Sequence, residues 1–291
     1  MMFYFLFFIF ETMKKILYSK VYMKTNLVIG SEGFIGKKLC EYLEKKGEQV
    51  TRFDIKRGAH EDARFVKLPL ESVDYVYILA WDVGGAKYLN KEDTQLTQLD
   101  WNLKLLLNVM TQLEKTRRPF LFISSQLAEE HDTVYGSLKR LGEVWTRILG
   151  GIFVRQWNVY GPIEEEGLRS HVVSDFIHQA LTTKEIRMLT TGEEKRQFIH
   201  HDDVCEAWYK ALNGNHKGAH DITSFEWVKV IDMANIIGRL TGAKVIPGEK
   251  IGGTPITPIV GKIPDWFPKI NLEDGLTRMV KEFEETLKNK K

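Results

Sequence analysis

Cysteine is almost missing from this chain: Cys40 and Cys205 are the only two among 291 residues. Two thiols so far apart make neither a disulfide framework nor a metal site, which points to a reducing compartment, the cytoplasm. An excess of one charge is missing as well. Lys and Arg number 41 against 39 Asp and Glu, a net charge of +2, and no basic block calls for nucleic acid. An apolar run of membrane-spanning length, about 20 residues, is also lacking. The opening "MMFYFLFFIF" is too short to span, and it carries neither the basic start nor the small-residue cleavage site of a signal peptide. We therefore expect Met23 to be the functional start, residues 1–22 to be an extension outside the fold, and no stable membrane insertion; the rival reading is a weak surface anchor. Internal repeats and low-complexity segments are absent too.

What is present is the composition of an ordinary globular protein, 43% hydrophobic and 27% charged. From Thr25 onward, strand and helix patterns alternate. "TNLVIG", "QVTRFDI", "RFVKLP", "DYVYILAW", "PFLFISS" and "GIFVRQWNVYG" read as six strands. "FIGKKLCEYLEKKG", "LTQLDWNLKLLLNVMTQLEK" and "YGSLKRLGEVWTRIL" read as amphipathic helices between them. Such alternation predicts an α/β protein, a Rossmann-type doubly wound parallel sheet covered on both faces. After Pro162 the rhythm loosens. Helices are expected in "RSHVVSDFIHQALT", "DVCEAWYKALN", "VIDMANIIGRLTG" and "NLEDGLTRMVKEFEETLKN", a strand in "EIRMLT", and a loop in the Gly/Pro-rich "PGEKIGGTPITPIVGKIPDWFP". We expect residues 23–162 to form a nucleotide-binding domain. Residues 163–291 should be mainly a smaller C-terminal α/β substrate lobe, with some segments returning to the first domain.

"NLVIGSEGFIG" places Gly30, Gly33 and Gly36 three apart, directly after the first strand. Gly30 allows a sharp turn, Gly33 a close approach of a pyrophosphate, and Gly36 tight packing of the helix on the sheet. Phosphates would sit on the N–H groups at the helix start. Asp54 ends the second strand, 18 residues past Gly36, where a carboxylate can accept both ribose hydroxyls and repel a 2′-phosphate. That favours NAD over NADP, although Lys56 and Arg57 follow and soften the preference.

"VYGSLKRLGE" carries Tyr135 and Lys139, four apart and so on one helical face. A nearby ammonium lowers a phenol pKa, so the tyrosine is expected to exchange a proton at neutral pH. Ser124 and Ser125 end the preceding strand, where a hydroxyl can hold a substrate oxygen beside the tyrosine.

From about Lys24 to Leu287 the chain resembles the extended short-chain dehydrogenase/reductases, the NAD-dependent epimerase/dehydratase group that modifies nucleotide sugars. The matching pieces are "GSEGFIG", "FDIK", "ILAWDVGG", "ISS", "YGSLK", "VRQWNVYGP", "TGEEKRQFIHHDDV" and "INLEDGL", in family order. The resemblance implies NAD as cofactor, held by Gly30, Gly33, Phe34, Ile35, Gly36, Asp54, Leu79, Ala80, Trp81, Tyr135 and Lys139. It makes Tyr135 the acid/base, Lys139 its tuner and the ligand of the nicotinamide ribose, and Ser125 the holder of the reacting hydroxyl, with Ser124 as alternative. It places Gly84, Gly85, Asn158 and Arg196 on the nucleotide-sugar substrate, the arginine on its diphosphate. It also implies a homodimer through the helices bearing Leu105, Leu106, Val109, Leu113, Leu138, Leu141 and Trp145. Trp101, Trp145, Trp157, Trp208, Trp227 and Trp266 are expected in core or interface.

The chain departs from the family in three places. Only ten positions separate Ser125 from Tyr135, where relatives carry a long loop. Trp81 replaces an alanine of the usual His-Leu-Ala-Ala, and Gln197 replaces an aspartate. The Asp-Glu pair of 4,6-dehydratases is absent: Gln126 and Leu127 stand there, and Glu129 and Glu130 come late unless the short loop returns one. No cysteine lies beside the serines for 3,5-epimerisation. Hydride transfer at one carbon remains, as in a 4-epimerase, with an oxidase/reductase or dehydratase as the alternative and a non-catalytic NAD(P)-binding regulatory protein as the second. His200 and His201 before Asp202 and Asp203 are read as a strand-to-helix junction with an aspartate cap, not as a metal site.

Overall fold

The computed structural model describes residues 23–89, 91–164, 167–255 and 257–289, and the expectation for residues 1–22 lies outside them. The chain runs β1 (Thr25–Ile29), α1 (Gly36–Lys45), β2 (Gln49–Phe53), β3 (Tyr75–Ile78), a short α2 (Ala86–Leu89), α3 (Gln95–Thr116), β4 (Phe120–Ser125), α4 (Val134–Ile148) and β5 (Ile152–Gln156). It continues through β6 (Asn158–Tyr160), α5 (Val172–Thr182), β7 (Glu185–Arg187), β8 (Lys195–Arg196), β9 (Phe198–His200), α6 (His201–Asn213) and β10 (Gly218–Ile222). β11 (Val228–Lys229), α7 (Val230–Thr241), β12 (Lys244–Ile246) and α8 (Leu272–Asn289) follow.

Six strands form one parallel sheet in the order β2-β1-β3-β4-β5-β10. Pleating splits each strand between two cores. Leu27 and Ile29 of β1 join Leu105, Leu106, Val109 and Leu113 of α3 on one face. Val28, Tyr77 and Leu121 join Leu39 and Leu43 of α1 and Val204 and Trp208 of α6 on the other. Burying such a side chain is worth about 1.5–3 kcal/mol, so both faces of the sheet drive its formation. A third core, with Ile177, Ile186, Met233, Ile237, Leu276 and Phe283, belongs to the C-terminal elements.

Four expectations need correction. "RFVKLP" is not a strand: the Asn108 side chain takes the Ala63 and Val66 carbonyls, and Gln112 takes the Leu68 N–H, so α3 replaces a ladder. "GIFVRQWNVYG" breaks at Trp157 into β5, in the main sheet, and β6, which pairs with β9. The sixth strand of the sheet is instead β10, from "GAHDI", whose pattern was too polar to be read as one. Of the residues expected at a dimer on two helices, Leu105, Leu106, Val109, Leu113 and Leu138 are buried inside the protomer, while Trp145 is half-buried and Leu141 is 41% exposed. Of the tryptophans, Trp157, Trp208 and Trp266 are buried, while Trp101 and Trp227 are 41% and 43% exposed.

Candidate active site

β1 lies between β2 and β3, so the chain changes direction across the sheet there and leaves a crevice beyond the strand ends. A cavity of about 1230 Å³ opens at that point. Gly30 turns off β1 with φ +93°, its N–H bonded to the Phe53 carbonyl at 2.8 Å. A Cβ on Gly36 would stand 2.0 Å from the Gly30 carbonyl oxygen, so α1 approaches the turn as only glycine permits. α1 begins with no capping side chain and no acid in its first turn, which leaves its positive end open to an anion. Gly30, Gly33, Phe34, Ile35 and Gly36 all line the cavity.

Asp54 lines it too, and is buried. Its carboxylate accepts the Glu32 and Lys56 backbone N–H groups, each at 2.9 Å, which orients both oxygens. Lys56 Nζ is spent on the Glu32 carbonyl at 3.2 Å, and Arg57 Nε reaches both Glu61 oxygens at 3.1 and 3.2 Å. These engagements direct both cations away from the Asp54 carboxylate, an acceptor that could hold ribose hydroxyls. Leu79, Ala80 and Trp81 form the opposite wall, and the Ile29 carbonyl accepts from both Leu79 and Ala80 N–H.

Beyond β4, Ser124, Ser125, Tyr135 and Lys139 come together on the cavity wall. The two serines have different partners. Ser124 donates to Glu143 Oε1 at 2.7 Å, and Glu143 is also gripped by Arg155 through Nε at 2.8 Å and Nη2 at 2.9 Å. Ser125 accepts the Leu127 N–H at 3.1 Å and lies within hydrogen-bond reach of the Tyr135 phenol. The short loop is thereby explained. Residues 126–129 make one 3₁₀ turn, Arg155 Nη2 holds Glu129 Oε1 at 2.6 Å, and Thr133 caps α4 by accepting the Gly136 N–H at 3.0 Å. Tyr135 therefore enters in the first turn of α4.

The expected low tyrosine pKa is not found. The surroundings of the Tyr135 hydroxyl are closely packed although the residue is half-buried, and that burial pushes its pKa up to about 12, offset in part by Ser125. Lys139 is driven well below the ordinary ammonium value by burial, with Glu143 opposing. Desolvation outweighs the attraction of the two groups because the lysine Nζ stands 5.7 Å from the tyrosine ring centre.

The expected substrate residues are less uniformly placed. Gly84 lines the cavity, whereas Gly85, Asn158 and Arg196 do not. Gly85 N–H is bonded to the Arg169 carbonyl at 3.0 Å, and Asn158 Nδ2 to the Gln197 carbonyl at 3.3 Å. Arg196 Nη1 donates to the Lys195 and Gly253 carbonyls at 2.8 and 2.9 Å. Sequence reading missed Asp62, Arg64 and Trp101 at one end of the cavity and Gln156, Arg169 and His171 at the other. Arg169 lies over the Tyr88 ring at 3.8 Å and bonds Asp82 at 2.8 Å, while His171 stacks on Phe34 at 4.9 Å. No local spacing announces these contacts.

His200, His201 and Asp202 have ligand atoms close enough for a metal. The Asp202 carboxylate already faces His201 Nε2 at 3.1 Å and Arg278 at 4.0 Å, and the guanidinium opposes a further cation. The cap of α6 is His200, whose Nδ1 accepts the Asp202 N–H at 3.3 Å, not an aspartate, because the helix starts earlier than expected.

A glycine-turned β1–α1 junction, an acid at the end of β2 and a Ser-Tyr-Lys group beyond β4 define a dinucleotide-dependent enzyme of the short-chain dehydrogenase type. The chain belongs to the NAD dependent epimerase/dehydratase family, whose description matches residues 26–223. It is 24% identical to the UDP-N-acetyl-alpha-D-glucosaminuronate decarboxylase of Bacillus cytotoxicus, over 90% of this chain and 98% of that one. It is 24% identical to the putative UDP-glucose 4-epimerase of Methanocaldococcus jannaschii, over 87% and 96%. Its fold matches a UDP-glucose 4-epimerase from Thermotoga maritima solved with UDP-glucose, with a TM-score of 0.72 at 21% identity, covering 90% of this chain and 99% of that one. Among the described residues no helix is long and apolar enough to cross a membrane.

Proposed function

We propose that this chain moves hydride at one carbon of a nucleotide sugar, and that 4-epimerisation is the activity its site supports best. The observation that carries this is the convergence of Ser125, Tyr135 and Lys139 on the same cavity as the glycine turn and Asp54. Bound NAD supplies the hydride acceptor. Gly30, Gly33 and Gly36 bring backbone and helix end to its pyrophosphate, and Asp54 takes the adenine ribose hydroxyls. Ser125 orients the sugar hydroxyl, Tyr135 Oη exchanges its proton, and Lys139 holds the second ribose. Ser124 serves as a support, since its hydroxyl is committed to Glu143. Neither Glu129 nor Glu130 lines the cavity, the first bound to Arg155 and the second exposed, which argues against a dehydratase base. Arg196, Asn158 and Gly85 would meet a nucleotide sugar only where it extends past the described cavity.

Residues 23–162 with β10 are proposed as the cofactor half and the remaining C-terminal elements as the substrate half. A homodimer is proposed through the outward stripe of the same two helices, with Leu141 kept from the expected set. Leu96, Leu99, Leu103 and Leu107 of α3, and Leu141, Val144 and Ile148 of α4, recur every three or four residues and are all exposed. The likeness to a uronate decarboxylase favours a second reading with the same first step, because oxidation at C4 of a uronic acid gives a β-keto acid that loses carbon dioxide.

The test is incubation of the protein and Tyr135→Phe with NAD and UDP-, GDP-, dTDP- and CDP-sugars, followed by mass spectrometry and NMR. A 4-epimer without net NADH is expected. Tyr135→Phe should keep NAD binding and lose about 10²–10⁴-fold in turnover. Carbon dioxide released from a nucleotide uronic acid would establish the second reading, and an undiminished Tyr135→Phe would remove both.

A further inference from the structure

Lys139 is 4% exposed. Its Nζ donates to the Ile123 carbonyl at 2.7 Å, and among the described residues no carboxylate touches it. Glu143, one turn further along α4, is committed to Ser124, Arg140 and Arg155. What the ammonium does meet is aromatic. The Trp81 ring centre is 3.8 Å away, with Phe122 at 5.2 Å and Tyr135 at 5.7 Å. Trp81 packs edge-on against Phe122, ring centres 5.8 Å apart at 64°, which sets the plane of the indole. Its buried indole N–H has no partner among the described residues, so packing and the ammonium hold the ring there rather than a hydrogen bond.

We propose that Trp81 is a positioning residue for Lys139: its indole face keeps the ammonium charged and in place at the catalytic end of the cavity. This rests on the reading that Lys139 serves the bound cofactor. A cation over the face of tryptophan is stabilised only while it is a cation, and more so when water is excluded. Burial acts the other way on this lysine, so the π face supplies the stabilisation that a carboxylate gives elsewhere. The other groups around Nζ do not replace it. Tyr135 and Glu143 lie on its own helix, and the Ser124 and Ser125 hydroxyls come from β4. Arg155 of β5 acts only through Glu143, and Asp82, next to Trp81, is held by Tyr88 and Arg169.

NADH titrations from about pH 6 to about pH 10 test this on the full chain, Trp81→Leu and Trp81→Phe. Leucine keeps apolar bulk over the lysine and removes the π face, whereas phenylalanine keeps part of it. NADH binding should fall on the alkaline side as Lys139 loses its proton, because Tyr135 titrates higher. The midpoint of that fall should lie about 0.5–1.5 pH units lower in Trp81→Leu than in the unaltered protein, with Trp81→Phe between them. If Trp81→Leu does not fold, protein made with fluorinated tryptophan weakens the π face without changing its shape, and its midpoint should also drop. Coincident midpoints, or Trp81→Phe displaced as far as Trp81→Leu, would overturn the proposal. A Lys139→Met protein that binds NADH like the unaltered one would instead sink the cofactor role of Lys139 itself.

Discussion

The two ends of the cavity are built by different means. The glycine-turn end is made of backbone: Gly30 at φ +93°, the Gly36 Cα against the Gly30 carbonyl, and an α1 start without a cap. The other end is made of side chains from just beyond β3 and from β4, α4 and β5, joined by the buried Ser124, Glu143 and Arg155 and the half-buried Glu129. The first end takes its shape from β1, the start of α1 and the neighbouring end of β2, whose Phe53 carbonyl holds the Gly30 N–H. The second exists only when the sheet order is complete. Tolerance should therefore differ: a single added methyl disrupts the backbone end, while the side-chain end responds in proportion to the bond removed.

The largest effect that can break this comparison is expected from Gly36→Ala. Its methyl would meet backbone 2.0 Å away, and backbone cannot swing aside. NAD affinity measured by calorimetry should fall by about 100-fold or more, with a loss of about 1–3 kcal/mol in stability from overpacking. Near-normal NAD binding would show that the glycine turn is looser than its geometry.

A smaller effect is expected at His200, between β9 and α6. Burial, with His201 adding, lowers its pKa from the usual 6.5 to about 4. It is therefore neutral in the fold through the range in which the unfolded chain takes up a proton. The unfolded state binds more protons there, so stability is complete above about pH 6.5 and is lost as pH falls towards 4. The loss should be about 2–3 kcal/mol, read from urea midpoints at neutral and acid pH. His200→Asn keeps a capping acceptor and should flatten that slope; an unchanged slope would place the acid sensitivity elsewhere.

The smallest effect is expected at Arg196. Both bonds of its Nη1 go to carbonyls of neighbouring backbone. Arg196→Ala should leave NAD binding unaltered and weaken nucleoside diphosphate binding by no more than about tenfold, as for one or two hydrogen bonds. A loss of several hundredfold in titrations of UDP, GDP, dTDP and CDP would mean that the substrate end closes around its ligand and that this guanidinium turns onto the phosphates.

The sequence by itself determined the parallel α/β class, the glycine turn, Asp54 at the end of β2 and the Tyr135–Lys139 pair, because each is written in residues close together in the chain. A strand of period two, a helix of period 3.6 and a turn needing φ above zero are local demands that particular residue types meet. Only the tertiary structure decided the rest. β10 joins the sheet because β5 offers it an open parallel edge, although "GAHDI" is too polar to announce a strand. "RFVKLP" stays irregular because Asn108 and Gln112, more than forty residues later, satisfy its backbone. Ser124 and Ser125 are chemically alike, and only the position of Glu143 separates a supporting hydroxyl from the one facing Tyr135. The acid strength of Tyr135 and Lys139 likewise follows from how completely their neighbours exclude water. Burial is a property of the assembled chain, and no spacing of residues encodes it.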